Sequence, residues 1–244
     1  MFDADRDEVI ARAADAGIER LLVPGYDVRS SIAAVELARR HPALIDAAVG
    51  VHPHYAAATV EAEWVDLEVL AREPGVVAVG EIGLDFHRNL SPPDAQRDAL
   101  KRQLEMAATR ELPVLVHDRE AHREVTQALV EWGGLAGRAA RGVLHCFSGD
   151  REMALELSGA GYLISFALPV TFSSARGPRA AATALPAGRL LTETDSPWLA
   201  AGRDRRNEPT TVVRVAAELA RLRGTTIETV GAEIATAYAA LTGR

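Results

Sequence analysis

Short apolar runs recur along this chain at intervals that suit one strand and one helix per unit, and this alternation constrains the fold more than any other feature. The runs are RLLVPG (20–25), IDAAVGV (45–51), VVAVGEI (76–82), LPVLVHD (112–118), GVLHCFS (142–148), YLISFA (162–167) and RLLTETD (189–195). They are continuously apolar rather than alternating, as strands buried on both faces of a parallel sheet must be. Ala/Leu/Glu/Arg segments with helical spacing lie between or after them, at 30–40, 60–72, 94–110, 121–131, 150–159, 209–222 and near 226–241. Two of these follow helix-start signals, Ser91-Pro92-Pro93 and Glu208-Pro209, where proline can occupy the first turn without losing a hydrogen bond. Repeated βαβ units predict an α/β fold, either a doubly wound sheet or a TIM-type (β/α)8 barrel. No linker, low-complexity tract or charge block interrupts the pattern, so one domain spanning 1–244 is expected, with Gly133-Gly134 as a loop. The sequence opens on a helix, from Asp3 to Ala16, so seven strands are recognisable and an eight-stranded barrel needs one more ahead of residue 1.

Composition narrows the setting. The chain is 48% hydrophobic and 25% charged, enough to bury a sizeable core, and no apolar run approaches the ~20 residues of a membrane-spanning helix. Its first residues, MFDADRDEV, are acidic where a secretion signal would be basic and then apolar. Cys146 is the single cysteine, which suits a reducing compartment and predicts a cytoplasmic protein. A formal charge of −7 argues against a broad basic face gripping duplex DNA. It leaves room for a local basic rim assisted by metal ions.

Polar residues gather at strand ends. His52 and His54 follow the second run, Glu81 and Asp85 end the third, His117 and Arg119 the fourth, His145 lies in the fifth, and Asp195 ends the last. Taken singly, a strand-end histidine is more often a hydrogen-bonded core or loop residue, and an aspartate before Ser-Pro is usually a turn former. Together they change the odds, because strand C-termini in parallel α/β folds converge on one rim. Imidazoles and carboxylates from separate strands are the ligand types that hold Zn, Mn or a similar divalent ion. Such a cation would offset the desolvation of Glu81, a carboxylate set against a buried strand. Glu193, one layer below Asp195, is placed to orient a ligand. Cys146 neighbours His145 but should face the opposite way, as a core thiol. His87 and His122 are expected at the surface. No nucleophile elbow, Walker loop or dinucleotide fingerprint is present.

Six segments carry a resemblance: Gly50-Val-His-Pro-His54, Gly80-Glu-Ile-Gly-Leu-Asp85, Leu112-Pro-Val-Leu-Val-His117-Asp-Arg119, His145-Cys-Phe-Ser-Gly149, Thr194-Asp-Ser-Pro-Trp-Leu199 and Arg206-Asn-Glu-Pro209. In this order, across nearly the whole chain, they resemble the TatD family of metal-dependent deoxyribonucleases. The resemblance implies a TIM-type barrel, one or two divalent ions (Zn, Mn or Mg), and hydrolysis of DNA phosphodiesters, often 3′-to-5′ from single-stranded ends. It implies that Glu81 bridges two metals, that His117 and His145 bind one ion, and that Asp195 binds the other and helps activate water. His52, Arg119, Arg206 and Asn207 fall where substrate contacts are expected, and the DNA strand is the only partner implied. The family also opens with a His-x-His pair on a first strand, ahead of a helix resembling residues 2–9. The expectation is that this strand precedes residue 1, and that the residues present hold the ion near Glu81 better than the one near Asp195. Two rivals stand beside this reading. One is hydrolysis of a small ester, amide or aminoacyl substrate on the same scaffold, against which stand the arginine-rich 203–207 segment and a sole lysine, Lys101, placed on a helix. The other is a degenerate, non-catalytic DNA-binding barrel.

Overall fold

The computed structural model describes residues 2–200 and 206–243. After helix α1 (Arg6–Asp15) come β1 (Leu21–Pro24), α2 (Val28–Arg40), β2 (Ile45–Val49), α3 (Glu61–Leu70), β3 (Val76–Asp85), α4 (Pro93–Arg110), β4 (Val114–Arg119) and α5 (His122–Glu131). The chain continues through β5 (Gly142–Leu144), α6 (Arg151–Gly159), β6 (Tyr162–Phe166), α7 (Arg176–Ala184), β7 (Leu190–Thr192), α8 (Val212–Arg223) and α9 (Ile227–Thr242). The seven strands form one parallel sheet in sequential order, β1 to β7, so every crossover is a helix returning to the neighbouring strand, the pattern of a TIM-type fold. Among the described residues no helix is long and apolar enough to cross a membrane.

Residues with a period of two divide the sheet into two faces. Ala48, Ala78, Leu115, Val143, Leu163 and Leu191, one from each of β2 to β7, pack in one cluster with Ala237 and Leu241 of α9, and Leu22 of β1 lies against it. Their neighbours Val49, Val79, Val116, Leu144, Ile164 and Leu190 belong to the larger cluster shared with the surrounding helices. Residues from both outer strands meeting in one inner cluster mean that the sheet is curled, with α9 plugging the interior. The fully buried Asp46 fixes that plug: Tyr238 of α9 donates to its Oδ2 at 2.7 Å and Arg20 forks onto the same carboxylate. A buried carboxylate is tolerable only with such partners. On the other side α1 is tied to the segment after β7, where Arg12 donates to Glu208 and Arg206 to Asp5.

Two elements differ from the sequence expectation. Helix α7 is absent from the expected helical segments; its Gly177 and Pro178 sit in its first turn, where the N–H that proline lacks has no helical partner anyway. Strand β3 runs on to Asp85, three residues beyond the apolar run, because its polar end pairs with β4 through Gly83↔His117 and Asp85↔Arg119.

Candidate metal centre

Two residues beyond three members of the inner apolar ring, toward the strand C-termini, ionisable side chains follow: His117 after Leu115, His145 after Val143 and Glu193 after Leu191. Period two alone would send Gly80 inward after Ala78 and Glu81 outward. The β3–β4 register shifts between Val79 and Ile82, and this bulge re-aims Glu81 into the mouth of the barrel. Gly80 is required beside it, since a Cβ there would lie 2.5 Å from Leu115 Cβ and 2.7 Å from Leu115 O. Gly83, with φ 137, likewise presses on the backbone of β4, 1.9 Å from His117 O if a Cβ were added.

Glu81 is the hub. Its Oε1 lies 2.9 Å from His117 Nδ1, 3.6 Å from His52 Nε2 and 3.7 Å from His145 Nε2. His145 Nε2 is also 3.5 Å from Asp195 Oδ1. Each of the two histidines nearest a ligand position is gripped by a further carboxylate through its other nitrogen: His117 Nε2 is 3.3 Å from Asp85 Oδ2, and His145 Nδ1 is 2.9 Å from Glu193 Oε1. This carboxylate–imidazole pairing is how metal-binding histidines are held in one ring orientation. Asp85 is 1% exposed and also receives His54 Nε2 at 2.8 Å and the Arg88 backbone N–H at 2.7 Å. Donor atoms of His52, Glu81 and His117 lie within 4.8 Å of one another. Four carboxylates and four imidazoles thus form a continuous chain of contacts, and this donor set fits a divalent cation.

The electrostatics follow from burial against pairing. Burial would raise the Glu81 pKa, but His145, His117 and His52 outweigh it and hold the carboxyl far below the usual range. Asp85 behaves alike, with burial overcome by His117, the Arg88 N–H and His54. Burial lowers His117, yet its bonds to Asp85 and Glu81 push it up to about 9. Burial also opposes charge on His145, and Glu193, Glu81 and Asp195 raise it well above the ordinary value. His52 goes the other way: burial dominates and lowers it to about 3, so it stays neutral. The His54 backbone N–H donates to His52 Nδ1 at 3.2 Å, which leaves the His52 proton on Nε2, facing Glu81. In that tautomer His52 is a hydrogen-bond donor toward the centre.

The structure brings together Glu81, His117, His145, Asp195 and His52. Asp195 takes a left-handed backbone, φ 57, in the turn after β7. Asn207 is buried, donating from Nδ2 to Thr194 O at 2.7 Å, so it holds the turn that presents Asp195. Arg119 is exposed at the tip of β4. Arg206 stands apart: its guanidinium is committed to Asp5 and Glu208. Arg203 and Arg205, of the arginine-rich segment, lie outside the described residues. His145 sits just after β5, not in it, because pairing with β6 ends at Leu144. The strand argument for Cys146 fails for the same reason. Cys146 is half-buried with φ 45, near Glu193 and His145, and lines a cavity with His122 and Arg176. Burial, then Glu193, pushes its thiol up to about 12, so it is protonated and a poor nucleophile. His87 is exposed and paired with Glu120, and His122 is half-buried at the start of α5, paired with Asp118. The sequence did not single out Asp85 and His54 as an orienting pair; their shared place at the C-terminal ends of adjacent strands, Asp85 ending β3 and His54 after β2, was the available signal.

Comparison with known proteins adds four findings. The TatD related DNase family model matches residues 1–243. The chain is 40% identical over 239 residues to the 3′-5′ ssDNA/RNA exonuclease TatD of Erwinia billingiae, covering 94% of this chain and 90% of the relative. It is 37% identical to the uncharacterized metal-dependent hydrolase YabD of Bacillus subtilis, covering 93% and 88%. Among solved structures, the TatD homolog YJJV of Escherichia coli superposes with a TM-score of 0.92 at 29% identity, covering 100% of this chain and 93% of that one.

Proposed function

Since this chain belongs to the TatD related DNase family, we propose that it is a 3′-to-5′ exonuclease acting on single-stranded nucleic acid ends, with residues 1–244 as one catalytic domain. It is a metal-dependent hydrolase of nuclease type. The observation that carries the reading is the ring of contacts centred on Glu81. Glu81, His117, His145 and Asp195 would hold one or two divalent ions, Zn, Mn or Mg. Bound there, an ion supplies Lewis acidity that offsets charge on phosphate oxygens and lowers the pKa of water, to about 7 at the best zinc sites. Asp195, more open than Glu81 with 30% against 13% side-chain exposure, is placed to accept the proton of the attacking water. His52 donates Nε2–H to a phosphate oxygen, and Arg119 adds positive charge at the rim. Asn207 positions Asp195 by holding Thr194. Lys101 is exposed on α4, so Glu81 takes the central place that a modified lysine fills in other amidohydrolase-like sites. The single cysteine favours the cytoplasm.

The direct test uses a 5′-labelled single-stranded oligonucleotide. Chelated protein should leave it intact, and added Mn²⁺ or Zn²⁺ should restore a ladder shortening from the 3′ end. Hydrolysis of small esters without any shortening of the oligonucleotide, or indifference to chelator, would sink the reading. Asp85→Asn should weaken metal affinity by about 10–100-fold, the usual effect of removing an outer partner of a ligating histidine; competition with a chromophoric chelator measures it.

A further inference from the structure

Four aromatic side chains are exposed among the described residues, Tyr26, Tyr55, Phe172 and Trp198, at 47%, 41%, 53% and 63%. Scattered exposed apolar residues need no explanation. These are not scattered. Tyr26 follows β1, Tyr55 follows β2, Phe172 follows β6 and Trp198 follows β7, so all four stand on loops at the strand C-termini, the rim that carries the metal centre. The other described aromatics are buried or half-buried.

Three of the four are tied to the centre by backbone hydrogen bonds. The His52 N–H donates to Tyr26 O at 3.0 Å, and the Tyr55 N–H donates to His52 O at 2.9 Å. The two tyrosine rings stack, with centroids 5.5 Å apart and planes at 27°. At the other end of the strand order, after β7, the Trp198 N–H donates to Asp195 O at 2.7 Å. Phe172 lies on the stretch whose Pro169, Val170 and Arg176 help wall a cavity of about 580 Å³ reaching Cys146, next to His145. An exposed, pre-stacked ring pair and two further rings around a phosphodiester-cleaving centre are what a single strand with unstacked bases requires.

We propose that Tyr26, Tyr55, Phe172 and Trp198 form a stacking track for the bases of single-stranded nucleic acid, leading the strand end to Glu81. The track rests on the nuclease reading and names how it selects unpaired strands: every base offers a π face to stack, whereas a paired duplex does not. Its recognition is sequence-tolerant, since stacking reads no hydrogen-bonding edge.

The test compares a deoxyadenosine oligonucleotide with an abasic strand of equal length and charge. Tyr26→Leu, Tyr55→Leu, Phe172→Leu and Trp198→Leu keep apolar bulk and remove the π face. Each should raise KM for the oligonucleotide by about 5- to 100-fold, the range of single base–aromatic stacks, with kcat within about twofold, and leave KM for the abasic strand unchanged. Equal losses on both strands, or no loss on either, would overturn the track while the nuclease reading stood. Failure of the unmodified protein to cleave the oligonucleotide would remove the nuclease reading and the track with it. A concentration-dependent dimer dissolved by the same leucine variants would assign the rings to a protein interface instead.

Discussion

Glu81→Gln is expected to lower phosphodiester turnover by more than about a thousandfold and to leave the protein with little bound metal. The amide keeps the shape of the carboxylate but not its charge, and Glu81 Oε1 is in reach of His117, His145 and His52 together. Removing an outer partner of a ligand costs about 10–100-fold; removing the ligand shared by His117 and His145 must cost more, because both contacts are lost at once. The fold should survive. The bulge that aims residue 81 is built by the register shift in β3 and by Gly80 against Leu115, neither of which needs the charge. Turnover, metal content and circular dichroism on the same preparation decide the matter. A Glu81→Gln protein with full metal loading and more than a tenth of the normal rate would show that the hub lies elsewhere.

The polar ring was legible because strands alternate. Given Leu115 as an inner position, His117 in the same strand must face the same way, and the order of strand ends placed His145, Glu193 and Asp195 beside it, one residue or more past their strands. What could not be read locally was any feature depending on a contact distant in the chain. The β3 bulge is set by how Leu115 crowds Gly80 from β4, and without it Glu81 would point into the helices. Asp85 finds its partner in His54, 31 residues earlier. Arg206 pairs with Asp5, 201 residues away, a contact that no spacing rule reveals. Cys146 escaped the alternation rule because β5 stops two residues before it, and a residue at positive φ no longer obeys strand geometry.

The aromatic rim shows the same limit from another side. Tyr26, Tyr55, Phe172 and Trp198 are unremarkable in sequence, four of twelve aromatics in a chain with only 5% of them. Their significance appears only when exposure and the shared end of the barrel are known together.

Loading a divalent ion at pH 7 is expected to expel about two protons. In the metal-free protein His117, pushed up to about 9, and His145, raised well above its ordinary value, both carry a proton at pH 7, and an imidazole must lose it to bind metal. Calorimetric titrations with Mn²⁺ or Zn²⁺ in buffers of different ionisation heat should therefore differ in apparent enthalpy by the proton count, and affinity should rise steeply from pH 6 to pH 9. Stability without metal should run in the opposite direction. Groups whose pKa is raised on folding contribute fully below the unfolded value of 6.5, and that contribution is lost as pH climbs through about 9. Glu81 and Asp85, held below 4.5 and 3.8, contribute above those values and lose their effect on acidification. The chelated protein should thus be most stable between about pH 5 and 6.5 and soften toward pH 9, while the loaded protein gains over the same interval because the bound ion stabilises the folded state more as its affinity grows. Binding without proton release at pH 7, or a chelated protein whose melting temperature is flat from pH 6.5 to 9, would mean that the imidazoles are neutral beforehand and that Glu81 is balanced by something other than their charge.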